Sequence, residues 1–264
     1  GFTAGTPVFV FSGDNPSSLV GMGASEPGTA VISLGTSDTF FGAMSQPKTD
    51  PRGYGHVFGN PAGGFMSLIC FKNGSLAREE ILKRTGMSWE AFSNAILGMT
   101  LPGNNGNLML PYFVPEITPV ILAPEVKLSG TASFCDWRDP AALARAIVEA
   151  QALSMKLHSD WIGEGATRIL ATGGAARNRG ILQVLADVFQ AKLQRLAVGN
   201  SAALGGAVRA AQAVTGRSYA DLAARFSAPD PAVVITPNAK TAPVYEAQMR
   251  KWQQFLEASF PVRR

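Results

Sequence analysis

Cysteine and histidine are scarce in this chain of 264 residues, with two of each. Cys70 and Cys135 sit in the apolar strings LICF and SFCDW. Two such residues supply neither a disulfide framework nor the paired spacing of a metal site, so a reducing compartment is expected. His56 reads as a loop residue and His158 as one position on a long helix. Long apolar runs are missing too: no stretch approaches the roughly 18 residues that suggest a membrane span. The first ten residues lack a basic n-region and a cleavage site, so no secretory leader is expected there. A soluble, cytoplasmic protein is the expectation. Charge of one sign is not concentrated either. Lysine and arginine number 23 against 19 acidic residues, a net charge of +4, and they are scattered apart from a basic PVRR at the end. Neither nucleic acid nor a membrane is therefore an expected partner. Repeats and low-complexity tracts are absent.

What is present is apolar: 46% of residues are hydrophobic and 16% charged, enough for a sizeable core in one large domain or two small ones. The opening, GFTAGTPVFVF, begins close to a strand-like run and a candidate site, and reads as a cut inside a longer protein.

Residues 28–46 hold two β-rich runs around Gly35-Thr36-Ser37, a hairpin signature, and residues 63–71 suggest a further strand. NGSLAREEILKRTG has helical spacing with Gly86 as C-cap, so its sequon Asn73-Gly74-Ser75 reads as a helix start. Residues 88–97 predict a helix capped by Ser88, and residues 101–107 a loop. LMLPYFVPEITPVI is strand-like but broken by Pro111, Pro115 and Pro119; residues 127–134 suggest another strand. Asp139-Pro140, in cap-then-proline order, opens a long helix. Then come a buried strand ending in ATGGAARN, the helix RGILQVLADVFQ, the short strand KLQRLA and the helix SAALGGAVRAAQAVTG. The segments SYADLAARF, AVVITP and a last helix, TAPVYEAQMRKWQQFLEA, follow. A hairpin followed by alternating helix and strand predicts an α/β domain with a mixed sheet.

Four places carry candidate chemistry. In FSGDNPSSLVGMG, Asp14 or Asn15 reads as a helix cap with Pro16 in the first turn; alternatively Asp14 is a base at the lip of a cleft. Gly35-Thr36-Ser37 is either an ordinary hairpin turn or an anion cradle of backbone N–H groups and hydroxyls. Gly173-Gly174 ends a buried strand, permitting close approach to a flat or anionic ligand. The alanines after it depart from GxGxxG, which argues against a dinucleotide. Gly205-Gly206 lies inside a helix, where each glycine costs about 1 kcal/mol relative to alanine, and reads as a close helix contact. Trp89, at a helix start after a loop, is expected to be partly exposed.

The ordered strings GDN, LGTSDTFF, GHVFGNP, CFKNGSL, ATGGAARNRGILQVLADVF and NSAALGGAVRA closely resemble the C-terminal half of the FGGY family of carbohydrate kinases, in its xylulose kinase branch. The resemblance runs from about Phe2 to about Gly216 and weakens beyond. It implies a ribonuclease H-like, actin-like ATPase domain, the C-terminal ATP-binding domain of a two-domain kinase, with residues 1–264 lacking the N-terminal sugar-binding domain. It implies that Asp14 is the catalytic base and a sugar ligand and that Asn15 contacts the same sugar. Gly35 and Thr36 match the phosphate-facing turn. Trp89 falls where similar kinases contact ATP, and Gly174, Ala175 and Asn178 match the adenosine motif, with Gly173 completing its turn. The expected cofactors are ATP and Mg²⁺, with metal-binding carboxylates and further sugar contacts in the first domain and none assigned here. The expected reaction phosphorylates D-xylulose; the alternatives are a kinase of another ketose or polyol, or a non-enzymatic actin-like nucleotide-binding module. Sugar, ATP and the first domain are the expected partners, with a second copy of the chain a further candidate. This stretch alone is expected to turn over little or no sugar.

Overall fold

In the computed structural model, which describes residues 1–163, 165–196 and 199–261, seven strands form one mixed sheet ordered β3-β4-β2-β1-β7-β8-β9. These are β1 (Thr29–Leu34), β2 (Asp38–Met44), β3 (His56–Gly59), β4 (Phe65–Phe71), β7 (Arg168–Thr172), β8 (Lys192–Leu196) and β9 (Pro229–Ile235). β5 (Leu108–Pro111) and β6 (Val126–Ser129) make a separate antiparallel ribbon. The helices are α1 (Asp14–Gly21), α2 (Ser75–Thr85), α3 (Trp89–Asn94), α4 (Ala132–Cys135), α5 (Pro140–His158), α6 (Arg179–Phe189), α7 (Ser201–Thr215), α8 (Tyr219–Phe226) and α9 (Ala242–Ser259). β1 pairs antiparallel with β2 across the turn at residues 35–37, and parallel with β7, which is itself parallel to β8. The mixed sheet expected from the hairpin and the later helix–strand alternation is present.

The two-residue period of the strands divides the core. Ile32, Leu34, Phe40, Ile69 and Ile169 face the larger cluster, built with α5 and α6. Val31, Phe41, Leu68 and Leu170 face the opposite way, onto Leu19 of α1 and the adjoining Met22. A sheet covered on both faces needs apolar residues at consecutive positions, which is why β1 reads TAVISL rather than alternating with charges.

Local signals act where expected. Ser88 caps α3 by accepting from the Ala91 N–H at 3.1 Å, Asp139 caps α5 through the Ala142 N–H at 3.0 Å, and Gly86 ends α2 with a left-handed φ of 69°. Gly205 permits a backbone contact between helices. A Cβ there would stand 1.9 Å from the Ser17 carbonyl oxygen of α1, and one on Gly21 would stand 1.9 Å from that of Ser201. Gly206 meets nothing within 4 Å, so only the first glycine of that pair makes the close contact.

Several expectations are corrected. Neither Asp14 nor Asn15 caps α1: the cap position is Gly13, without a side-chain bond, and Asp14 is the first helical residue. Its Oδ1 is turned onto its neighbour, accepting from the Asn15 N–H at 2.8 Å and the Asn15 amide at 3.2 Å. The Ser17 hydroxyl donates back to the Ser12 carbonyl. The run Val8–Phe11 is not a strand; Val8 and Val10 are exposed, and no strand among the described residues pairs with it. His56 opens the edge strand β3 instead of lying in a loop. Residues 127–134 form a strand only to Ser129, and Gly130, with a φ of 153°, bends the chain into α4. The end of KLQRLA, Ala197, lies outside the described residues.

Candidate nucleotide and sugar site

The site lies at the carboxyl end of β1 and β7, where open α/β sheets place their ligands. β7 ends at Thr172 and the chain turns at Gly173, with a φ of 89°. A Cβ on Gly173 would be 2.4 Å from the Leu34 carbonyl oxygen, so both the backbone conformation and the packing against β1 require glycine. A Cβ on Gly174 would meet nothing within 4 Å.

These two consecutive glycines face different cavities. Gly174, Ala175 and Asn178 line a cavity of about 650 Å³ together with Trp89, Ser75, Glu79, Glu90, Ser93, Arg177 and Arg179. Gly173 instead lines a polar cleft of about 230 Å³ with Asn15, Ser18, Ser33, Thr172, Asn200 and Ser201.

The larger cavity is assembled by three helix starts. Trp89 opens α3, is 40% exposed and meets Phe92 edge to face at 5.5 Å. Asn178 caps α6, its Oδ1 accepting from the Ile181 N–H at 3.1 Å, while its amide donates to the Trp89 carbonyl at 3.3 Å. Gly180 donates its N–H to the Ser93 hydroxyl at 3.2 Å, and a Cβ on it would crowd Ser93 and Ile96. Ile96 belongs to a π-helical turn, Ala95–Met99, that extends α3. Such turns recur at functional sites, and this one lies where α3 packs beside α6.

The cleft on the α1 side meets the sheet at Ser33, Phe41 and Thr172. Register aligns Cys70 of β4 with Thr39 of β2, Thr39 with Ser33 of β1, and Ser33 with Thr172 of β7. By strand alternation this row shares the face of Val31, Phe41 and Leu68. The Thr39 hydroxyl is buried without a partner among the described residues. Asp14 stands at the rim: it is exposed and makes no ion pair among the described residues, and the cleft lining includes Asn15 but not Asp14. Burial pushes the Cys70 thiol above its ordinary range, and the Asp14 charge adds to that rise.

Gly35 and Thr36 lie on the turn between β1 and β2. The Gly35 carbonyl accepts from the Ser75 N–H at 2.9 Å, tying the turn to a wall of the larger cavity. Of the residues expected from sequence, four therefore line one cavity and Asn15 and Gly173 line the other, while Asp14, Gly35 and Thr36 line neither. Sequence reading missed Ser75, Ser93, Arg177, Ser33 and Thr172. Ser75 stood in the CFKNGSL string and offered a signal; Ser33 and Thr172 gave none, because only strand pairing brings them together.

The fold is that of a ribonuclease H-like, actin-like domain. The profile of the FGGY family of carbohydrate kinases, C-terminal domain, matches residues 30–214, and the chain belongs to that family. It is 40% identical to the xylulose kinase of Rattus norvegicus over 263 residues, covering 96% of this chain and 48% of that protein. The profile ends at residue 214, near Gly216 where the resemblance is expected to weaken, while the alignment to the relative runs over 96% of the chain. The crystal structure of xylulose kinase from Rhodospirillum rubrum superposes with a TM-score of 0.83 at 24% identity, covering 98% of this chain and 53% of that one. Gluconate kinase from Lactobacillus acidophilus superposes with a TM-score of 0.80 at 19% identity, covering 93% and 50%. The chain spans about half the length of the curated relatives it matches.

Proposed function

We propose that this chain is the ATP-binding part of a kinase that phosphorylates D-xylulose, giving ADP and D-xylulose 5-phosphate when joined to an N-terminal sugar-binding domain. The observation that carries the reading is the glycine pair shared between two cavities. A nucleotide whose base lies against Trp89 in the larger one sends its phosphates across Gly173 and Gly174 toward Asn15. Identity of 40% to a xylulose kinase supports the choice of sugar; the fold does not, since a gluconate kinase has it too.

In this reading Trp89 covers the purine face. Gly174, Ala175 and Asn178 receive the adenosine, while Gly35 and Thr36 offer N–H and hydroxyl groups to the phosphates. Phosphoryl transfer asks the protein mainly to position the reactants and stabilise charge. The sugar hydroxyl is a poor nucleophile, and a carboxylate in hydrogen-bond reach takes its proton as the bond to phosphorus forms. Asp14 suits that role because it is open to the cleft mouth with one oxygen, Oδ1, already oriented by Asn15. Among the described residues no three His, Cys, Asp or Glu side chains converge on a metal position. Mg²⁺ arriving with ATP would be held by its phosphates together with one or two carboxylates.

Two measurements test the reading. The full natural protein, assayed with ATP against a panel of ketoses, polyols and sugar acids, is expected to prefer D-xylulose; preference for another sugar, or no transfer, would overturn that assignment. Trp89→Ala is expected to weaken ATP binding by about 5- to 150-fold, the equivalent of losing one base–aromatic stack. An unchanged dissociation constant would remove Trp89 from the nucleotide site.

A further inference from the structure

The buried ion pair between Asp38 and Arg78 lines neither cavity, yet Arg78 is bonded to Ser75 in the wall of the larger one. Each side chain is 1% exposed. The Arg78 Nη1 donates to Asp38 Oδ2 at 2.7 Å and Nη2 to Asp38 Oδ1 at 3.0 Å, a forked pairing that fixes orientation as well as distance. The guanidinium also donates to the Gln151 Oε1 at 2.7 Å and the Ser75 hydroxyl at 2.9 Å. Gln151, on α5, donates in turn to the Asn73 and Gly74 carbonyls at 2.6 and 3.1 Å.

Asp38 is the residue that follows Gly35-Thr36-Ser37, and Arg78 lies in the first turns of α2, whose Ser75 and Glu79 line the larger cavity. Between them the backbones touch. The Ser75 N–H donates to the Gly35 carbonyl, and a Cβ on Gly74 would stand 2.8 Å from both the Asp38 nitrogen and the Thr36 carbonyl oxygen. Removing two charges from water is costly, and apolar residues of similar volume commonly serve stability as well. A forked pair supplies what they lack, a fixed spacing and angle between the two segments it joins.

We propose that Asp38 and Arg78, held by Gln151, are positioning residues that set the Gly35–Ser37 turn at a fixed distance from the larger cavity, so that the turn meets the phosphates of a nucleotide whose base is already seated. The inference rests on the nucleotide reading given above and assigns no contact between the pair and the ligand.

The test compares ATP with adenosine in the full natural protein. Arg78→Lys keeps the charge and loses the fork. It is expected to raise the ATP dissociation constant about tenfold or more while that of adenosine stays within twofold, and to speed deuterium exchange in the peptide carrying the Ser75 amide. Gln151→Met, an uncharged change outside both cavities, is expected to move the same readouts in the same direction by less, and stands in if Arg78→Lys does not fold. Equal weakening of ATP and adenosine, or no change in either, overturns the positioning role while leaving the nucleotide site intact. A wild-type protein that binds neither overturns the nucleotide reading and the role with it.

Discussion

Asn178 joins two helices from one side chain: its carbonyl oxygen caps α6 while its amide donates to the Trp89 carbonyl at 3.3 Å. The aromatic wall of the larger cavity is thereby tied to the turn that forms its floor. Asn178→Ala is expected to cost about 1 kcal/mol of stability through the lost cap and to weaken ATP binding. Asn178→Asp keeps the cap acceptor and loses the donor, so thermal melting should recover while nucleotide affinity does not. Recovery of both would deny the link to Trp89 any part in binding.

Asp14→Asn, in the full natural protein, is expected to lower kcat by about 10²- to 10⁴-fold, the usual span for losing a general base. Its ATP dissociation constant should change little, because the role proposed for Asp14 is toward the sugar. Steady-state kinetics with calorimetric titration of ATP decide the matter, and near-normal turnover removes Asp14 from the mechanism.

The adjacent glycines of α7 should respond oppositely to alanine. Gly205→Ala drives a methyl into the Ser17 carbonyl of α1 and is expected to cost at least the ~1–3 kcal/mol typical of overpacking. Gly206→Ala, with open space around it, is expected to gain roughly 0.5–1 kcal/mol by removing a glycine from a helix interior. Urea unfolding of the two variants checks the contrast.

His158 predicts a pH dependence of stability. Burial lowers its pKa below the ordinary value near 6.5, with the Ser154 carbonyl, bonded to Nδ1 at 2.8 Å, opposing that fall. Arg52 adds to the lowering, and Asp50 and Asp160 oppose it. The unfolded chain therefore binds more protons than the folded one as pH drops below about 6.5. Its contribution is present above that value and is lost on acidification through the folded pKa. Urea midpoints at pH 7.5 and 5.5 should differ less in His158→Gln than in the wild type; an equal difference assigns the effect to other groups.

Much of this was legible before any coordinates, for local reasons. Ser88, Asp139 and Gly86 act through neighbours within one helical turn, and the glycine pair after β7 announces a turn in any context. Asp14 misled as a cap because its rank among capping residues says nothing of a competing donor, here Asn15 beside it. Val8–Phe11 has the composition of a strand, but a strand also needs a neighbour. The Asp38–Arg78–Gln151 brace was invisible because its members stand far apart in the chain, and the Cys70–Thr39–Ser33–Thr172 row emerges only from the pairing of four strands.

The backbone contact at Gly21 and Gly205 also limits how this domain can be re-engineered. Because α1 and α7 interlock without intervening side chains, a chimera that imports the Asp14 segment from a kinase of different sugar preference must import the matching α7 as well. Grafting either helix alone leaves a mismatched seam under the transplanted carboxylate.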